Sequence, residues 1–198
     1  MSKLQTPFRY DFVGSFLRPQ ALKDAKAAYR DGKITKEEFD KVVNEEITKV
    51  VEKQKELGFH AITDGEFRRT FWHLDFMWGF DGVAHENTGN GVKFDAELAV
   101  LDDTYLVGKI KAKAHPFVEY FKFLKQFEDE NTVAKYTIPA PAQTFQQMIV
   151  PDNIANTRKF LQMRSLSRTL ERLIRMLLSS FTMQAVEIFS LTIVHGAP

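Results

Sequence analysis

The sequence predicts an α/β fold assembled from parallel βα units. Three observations carry that prediction. Short apolar runs at Phe12-Val13, His60 to Thr63 and Val133 to Ile138 each stop at a turn signal. Helical periodicity fills the span between the first two runs. The connections are too long for hairpins and long enough for the crossovers that parallel neighbours require. In folds of this class chemistry gathers where strands end. Those ends are Gly14-Ser15, Asp64-Gly65-Glu66 and Pro139-Ala140-Pro141.

Each element follows from local pattern. Phe12-Val13 reads as a buried strand. Pro19 suits the first turn of a helix, which runs through Leu22, Ala25 and Tyr29 and stops near Gly32. Thr35 and Glu38 form a capping box. Behind it Phe39, Val42, Val43, Ile47, Val50, Val51 and Leu57 recur at three- and four-residue steps, with Gly58 as C-cap. His60 to Thr63 is the second strand. Phe71 to Phe80 is aromatic-rich and partly helical. Residues 81–114 carry turn signals between β-type runs and predict an antiparallel excursion. Pro116 to Phe127 reads as a helix rich in Phe and Tyr, Val133 to Ile138 as a third main strand, and Gln143 to Val150 as a short helix.

Composition excludes several classes of function. The 198 residues include no Cys, so no disulfide, thiolate ligand or cysteine nucleophile is available. A net charge of +1 leaves no large basic footprint, so no nucleic-acid partner is expected. No run approaches the roughly 20 apolar residues of a membrane span, and the N-terminus has no secretory h-region. The expected protein is soluble, without a membrane partner, and cytoplasmic.

The composition changes near residue 160. Beyond it Lys and Asp disappear and Ser becomes frequent. Residues 1–160 and 161–198 are therefore read as different segments, the second as an aberrant tail. Leu166, Leu170, Leu173, Ile174 and Leu177 keep helical spacing there, with Arg168, Arg172 and Arg175 interleaved. A basic amphipathic helix and an accidental pattern both fit that spacing.

Three strings are distinctive. They are Phe12-Val13-Gly14-Ser15-Phe16-Leu17-Arg18-Pro19, Ile62-Thr63-Asp64-Gly65-Glu66-Phe67-Arg68-Arg69 and Thr137-Ile138-Pro139, with Trp72 and Asp75-Phe76 between. In this order they resemble the cobalamin-independent methionine synthase family, in particular the short bacterial branch similar to the catalytic C-terminal barrel alone. The resemblance covers roughly residues 7–160. It implies a (β/α)8 TIM barrel, of which this chain holds the N-terminal part with the antiparallel excursion. A full barrel of this kind needs about 250 residues.

The resemblance also implies an activity: transfer of a methyl group from a methylated tetrahydrofolate to the thiol of homocysteine, assisted by zinc. A free thiol with a pKa near ~8.5 is mostly protonated at neutral pH, and a metal cation makes the thiolate available. By the resemblance Gly14, Ser15, Glu66 and Asp64 are substrate-binding, with Glu66 receiving the ammonium and Asp64 orienting the loop. Arg18, Arg68, Arg69 and Trp72 are the expected folate contacts, and Trp78 is an alternative stacking ring. Read without the resemblance, Glu66 with Arg68 and Arg69 is a surface ion-pair cluster, and the tryptophans are core or lid.

The implied zinc set is a His, two Cys and a Glu in the second half of the barrel. None has a counterpart here, so zinc binding by this chain is not expected, and neither is any catalytic residue. His60, His73, His85 and His115 lack metal-ligand spacing. Codons for Met183 to Pro198, read after dropping two nucleotides, permit Ala-Gly-Cys-Arg-Asn-Ile-Gln-(Phe or Leu)-Asp-Asp-Cys-Thr-Trp-Gly, which looks like the family's next barrel strand. A frameshift between about Phe160 and Arg164 is the resulting expectation. The chain is then an incomplete methyltransferase, inactive alone, with exposed barrel edges that favour self-association. The alternatives are a non-catalytic amino-acid-binding or interaction fragment, or a different reaction of the wider barrel superfamily.

Overall fold

Helix α1 spans Gln20–Arg30 and begins directly after Pro19. Its buried residues are Leu22 and Ala25, as the periodicity predicts. The chain is described here from a computed structural model, which covers residues 12, 15–87, 89, 91–94, 97–100, 102–111, 115–140, 143 and 175. The expected strand at Phe12-Val13, the helix from Gln143 to Val150 and the boundary at residue 160 fall wholly or mostly outside the described residues.

Helix α2, Lys36–Glu56, opens on a complete capping box. The Glu38 N–H donates to Thr35 Oγ1 at 3.2 Å, and the Thr35 N–H donates to Glu38 Oε2 at 2.8 Å. Two orphan donors are thereby satisfied, in an arrangement worth about 1 kcal/mol. The buried stripe is Phe39, Val43, Ile47 and Val51. Two polar residues share it: Glu46, held by Lys49 at 2.5 Å, and Gln54. Leu57, expected on the apolar face, is exposed, because it is the C-cap and the chain turns at Gly58 with φ of 79°.

Strand β1, Ala61–Ile62, pairs in parallel with β6, Val133–Ala134. The Val133 N–H donates to His60 O and the Lys135 N–H to Ile62 O, both at 2.8 Å. The parallel βα reading therefore holds for these two strands, although each is shorter than its apolar run. Two compact units organise the described residues. The first takes residues up to 72 and 120–137, and holds α1, α2, β1 and β6.

The second unit takes residues 73–119 and continues from 138. Helix α3 is Leu74–Trp78. The antiparallel excursion is present as β2 (Asp81–Glu86) paired with β5 (Asp103–Lys111), and β3 (Gly91–Phe94) paired with β4 (Glu97–Val100). The β2–β5 register shifts between Asp81 and Val83. The intervening Gly82 has φ of 85°, which suits a bulge. Helix α4, Pro116–Lys125, starts on proline and runs across the division between the units. Around His115 pack Phe76, Phe80 and Phe117, with centroids 4.8–5.1 Å from its ring. Among the described residues no helix is long and apolar enough to cross a membrane.

Candidate functional site: the carboxylate loop after β1

The chain leaves β1 through Thr63, where α2 grips it. Gln54 Nε2 donates to Thr63 O at 2.8 Å, and the Thr63 N–H donates to Gln54 Oε1 at 3.0 Å. A side-chain amide thus completes both backbone groups at the point where sheet pairing stops. The next turn is local. The Gly65 N–H donates to Thr63 Oγ1 and the Glu66 N–H to Asp64 Oδ1, each at 2.9 Å, in the manner of Ser/Thr and Asx turns.

This turn drives two consecutive residues into left-handed backbone, Gly65 at φ 62° and Glu66 at φ 58°. Glycine adopts that conformation freely. A residue with a Cβ loses about 1–2 kcal/mol there. Glu66 is the only non-glycine with positive φ among the described residues. Strain of this kind persists only where surrounding contacts enforce it, and it concentrates at functional positions.

Those contacts are on the carboxylate. Glu66 Oε1 accepts from Arg69 Nη1 at 3.1 Å and from Thr137 Oγ1 at 2.9 Å. Thr137 lies just past β6, so the parallel pairing of β1 and β6 brings the two strand ends together. Arg69 also donates from Nη2 to Thr137 O at 2.6 Å and from Nη1 to Trp72 O at 3.4 Å. Its guanidinium lies 4.8 Å over the Tyr136 ring. Glu66 is 4 % exposed, Arg69 1 % and Asp64 2 %. Burial opposes the Arg69 charge, but Tyr136, Asp64 and Glu66 more than offset it, so its pKa is raised. Burial and the Asp64 carboxylate push the Tyr136 hydroxyl well above the ordinary phenol value. Two acceptors stay open among the described residues: Glu66 Oε2 has no hydrogen bond, and the buried Asp64 Oδ2 has none either.

The structure brings most of the predicted residues to this loop. The Phe16 N–H donates to Gly65 O at 3.1 Å, which sets the exposed Ser15 beside it. Arg18 Nη2 donates to Glu66 O at 3.2 Å and to Arg69 O at 3.4 Å, and Nη1 to Phe16 O. Gly14 lies outside the described residues. Arg68 turns the other way: it donates to Asn44 Oδ1 and lies 4.9 Å over the Tyr120 ring. Trp72 is 42 % exposed. Trp78 donates from Nε1 to Thr104 Oγ1 and stacks on His85 at 3.8 Å. The surface-cluster reading of Glu66 and Arg69 is overturned by their burial. Sequence reasoning missed Thr137 as a partner of Glu66, and Gln54 as the clamp. The signal for Thr137 was its place near the end of the Val133 to Ile138 run, which was predicted to be a parallel strand.

A buried carboxylate at a strand's end, fixed by an arginine from its own loop, marks this α/β chain. Residues 10–100 match the model of the family described as cobalamin-independent synthase, catalytic domain. The Bacillus subtilis protein YxjH is 39% identical over 141 residues, covering 71% of this chain and 37% of that protein. A Corynebacterium glutamicum 5-methyltetrahydropteroyltriglutamate–homocysteine methyltransferase is 27% identical over 127 residues, covering 64% of this chain and 17% of the enzyme. A Listeria monocytogenes structure assigned as a vitamin-B12-independent methionine synthase superposes with TM-score 0.72 at 34% identity, over 96% of this chain and 52% of that one. A Shewanella B12-independent methionine synthase, solved with selenomethionine, shares the fold at TM-score 0.60 and 18% identity. The chain thus spans between about a third and a half of the more similar of these relatives.

The family's zinc set can be tested against the donors present. The chain has no cysteine. Among the described residues no three His, Cys, Asp or Glu side chains converge as a metal site. His60 Nδ1 lies 2.9 Å from Asn131 O, His115 Nε2 lies 2.9 Å from Phe76 O, and His85 pairs with Asp102 at 2.7 Å. The residues present do not fit the two-thiolate set.

Proposed function

We propose that this chain carries the amino-acid-binding part of a homocysteine S-methyltransferase with a (β/α)8 barrel, and that it does not turn over alone. The observation that carries this reading is the Glu66 carboxylate at the end of β1, fixed through Oε1, with Oε2 open among the described residues. An oxygen pre-oriented in that way suits a substrate ammonium, since charge-assisted hydrogen bonds are short and strong. Asp64 Oδ2 is a second acceptor, and Ser15 with Gly14 receives the substrate carboxylate. Arg18 and Arg69 brace the loop through their internal hydrogen bonds. Trp72, with its exposed ring, is the remaining candidate for stacking on a pterin, and Arg68 for a carboxylate of a folate. The methyl donor would be a methylated tetrahydrofolate, and the setting cytoplasmic.

Residues 161–198 we take as out-of-frame translation, and the edges of β1 and β6 that are unpaired among the described residues as a route to self-association. Titration calorimetry with homocysteine, with and without zinc, tests the reading together with a methyl-transfer assay. Homocysteine binding lost in Glu66→Gln and absence of turnover are the expected results. Turnover with stoichiometric zinc and no second subunit would overturn it. The missing thiolates favour one second reading, a non-catalytic amino-acid-binding protein. Resequencing the locus separates the two: an intact frame favours the binding protein.

A further inference from the structure

We propose that the cleft between α1 and α2 is a binding site for a small, multiply charged organic anion. This site lies within the first unit and shares Arg68 alone with the methyl-transfer reading. Lys26, Ala27 and Arg30 lie three, four and seven residues after Lys23, so the four share one face of α1. Leu22 and Ala25, the buried residues of α1, occupy another. On α2, Lys36, Phe39, Asp40 and Val43 follow the same spacing. The two faces line one cavity of about 700 Å³, closed by Arg68, Thr70 and Tyr120. Cavities that hold small organic ligands span roughly 300–1,000 Å³.

A helix stripe of this spacing normally carries the apolar residues that meet a neighbour. Here the α1 stripe is cationic, and it faces a wall whose Phe39 and Val43 are buried. Five cationic side chains and one carboxylate line the cavity, while the whole chain carries only +1. The carboxylate, Asp40, is matched by Lys36 at 2.5 Å. Lys26 Nζ donates to Arg69 O at 3.1 Å, which fixes it at the inner end. The excess positive charge therefore lies in a concave, apolar-walled space, where field lines concentrate and an anion is drawn in. Tyr29 stacks on Phe39 at 5.1 Å and 9° and is itself exposed, which adds a flat ring at the mouth. The ligand this fits has several negative charges and an apolar or planar portion.

Phosphates and carboxylates supply the same charge chemistry, and calorimetry on the full chain separates them. ATP and tripolyphosphate probe the phosphate source, citrate the carboxylate source, and adenosine the ring alone. We expect one-to-one saturable binding of ATP with tripolyphosphate, or of citrate, and weakening as ionic strength rises. Lys23→Glu and Arg30→Glu each lower that affinity by about tenfold or more. Both residues are exposed, so far-UV circular dichroism stays unchanged. Lys41→Glu, an equal charge change on α2 outside the cleft, leaves binding within about twofold. No saturable binding of any anion overturns the proposal. So does an equal loss in Lys41→Glu, which would reduce the effect to net charge.

Discussion

Arg69 Nη1 lies 3.1 Å from Glu66 Oε1, three residues away, and both side chains are buried. The pair does more than join two charges. It holds a carboxylate whose backbone sits in the left-handed region, and through Thr137 it ties that carboxylate to the neighbouring strand. Removing one partner of such a pair strands the other charge in a low-dielectric site, at about 3–5 kcal/mol. Arg69→Met should therefore destabilise the chain by that amount in urea titrations. The double variant Arg69→Met/Glu66→Gln should recover part of the loss. A single variant within about 0.5 kcal/mol of the parent would show that the pair carries no such role.

Two glycines with the same backbone conformation should respond differently to alanine. Gly32 has φ 69°, and an added Cβ would meet nothing within 4 Å. Only the backbone penalty applies, about 1–2 kcal/mol. Gly65 has φ 62°, and its Cβ would lie 2.8 Å from Phe16 Cδ2 and 3.0 Å from Phe67 Cε1. Overpacking adds to the backbone penalty there, for a total of about 2–4 kcal/mol. Equal melting temperatures for the two variants would remove Phe16 from the argument.

Much of this architecture is written in the sequence as periodicity. The capping box at Thr35 and Glu38, the stripe from Phe39 to Val51, and the turn signals of residues 81–111 report local chemistry, and the structure follows them. What pattern could not show was pairing across distance. Gln54 sits on a helix stripe as a polar interruption, and only its position opposite Thr63 explains its burial. Glu66 and Arg69 read equally as a solvated ion pair, because spacing of three residues does not encode depth. Arg68 and Arg69 are adjacent yet go to different partners, Asn44 with Tyr120 on one side and Glu66 with Tyr136 on the other. Adjacent positions in a turn diverge in direction, and direction is fixed by the folded loop.

Gln54 gives a third test. Its amide satisfies one donor and one acceptor of Thr63, and Thr63 is buried. Gln54→Leu keeps the volume and leaves both backbone groups unpaired, which costs about 1–3 kcal/mol for each group left without water. A total loss of about 2–6 kcal/mol is expected in denaturant titration. Amide hydrogen exchange at Thr63 should rise more than exchange at Val51, in the middle of α2. Uniform exchange changes along the helix would mean that Gln54 acts on α2 rather than on the strand end.

Stability should fall in two separate steps as pH drops. His73 is buried, and burial lowers its pKa below the ordinary 6.5, with Asp75 opposing. The folded chain therefore keeps the imidazole neutral where the unfolded chain protonates it. That contribution is complete above about pH 6.5 and is lost as pH falls through the lowered value, because the unfolded state then binds the extra proton. Asp129 acts lower down. Its hydrogen bond from Lys55 at 2.7 Å, helped by the Asn131 N–H, lowers its pKa from 3.8 to about 2. Its contribution is present above 3.8 and lost as pH falls towards about 2. Because Asp129 is largely exposed, solvent screening keeps this second step small. Melting temperatures measured across the acid range should show the upper step vanish in His73→Gln and the lower one in Asp129→Asn. If His73→Gln kept the upper step, the proton would belong to another group, and burial of His73 would not be its source.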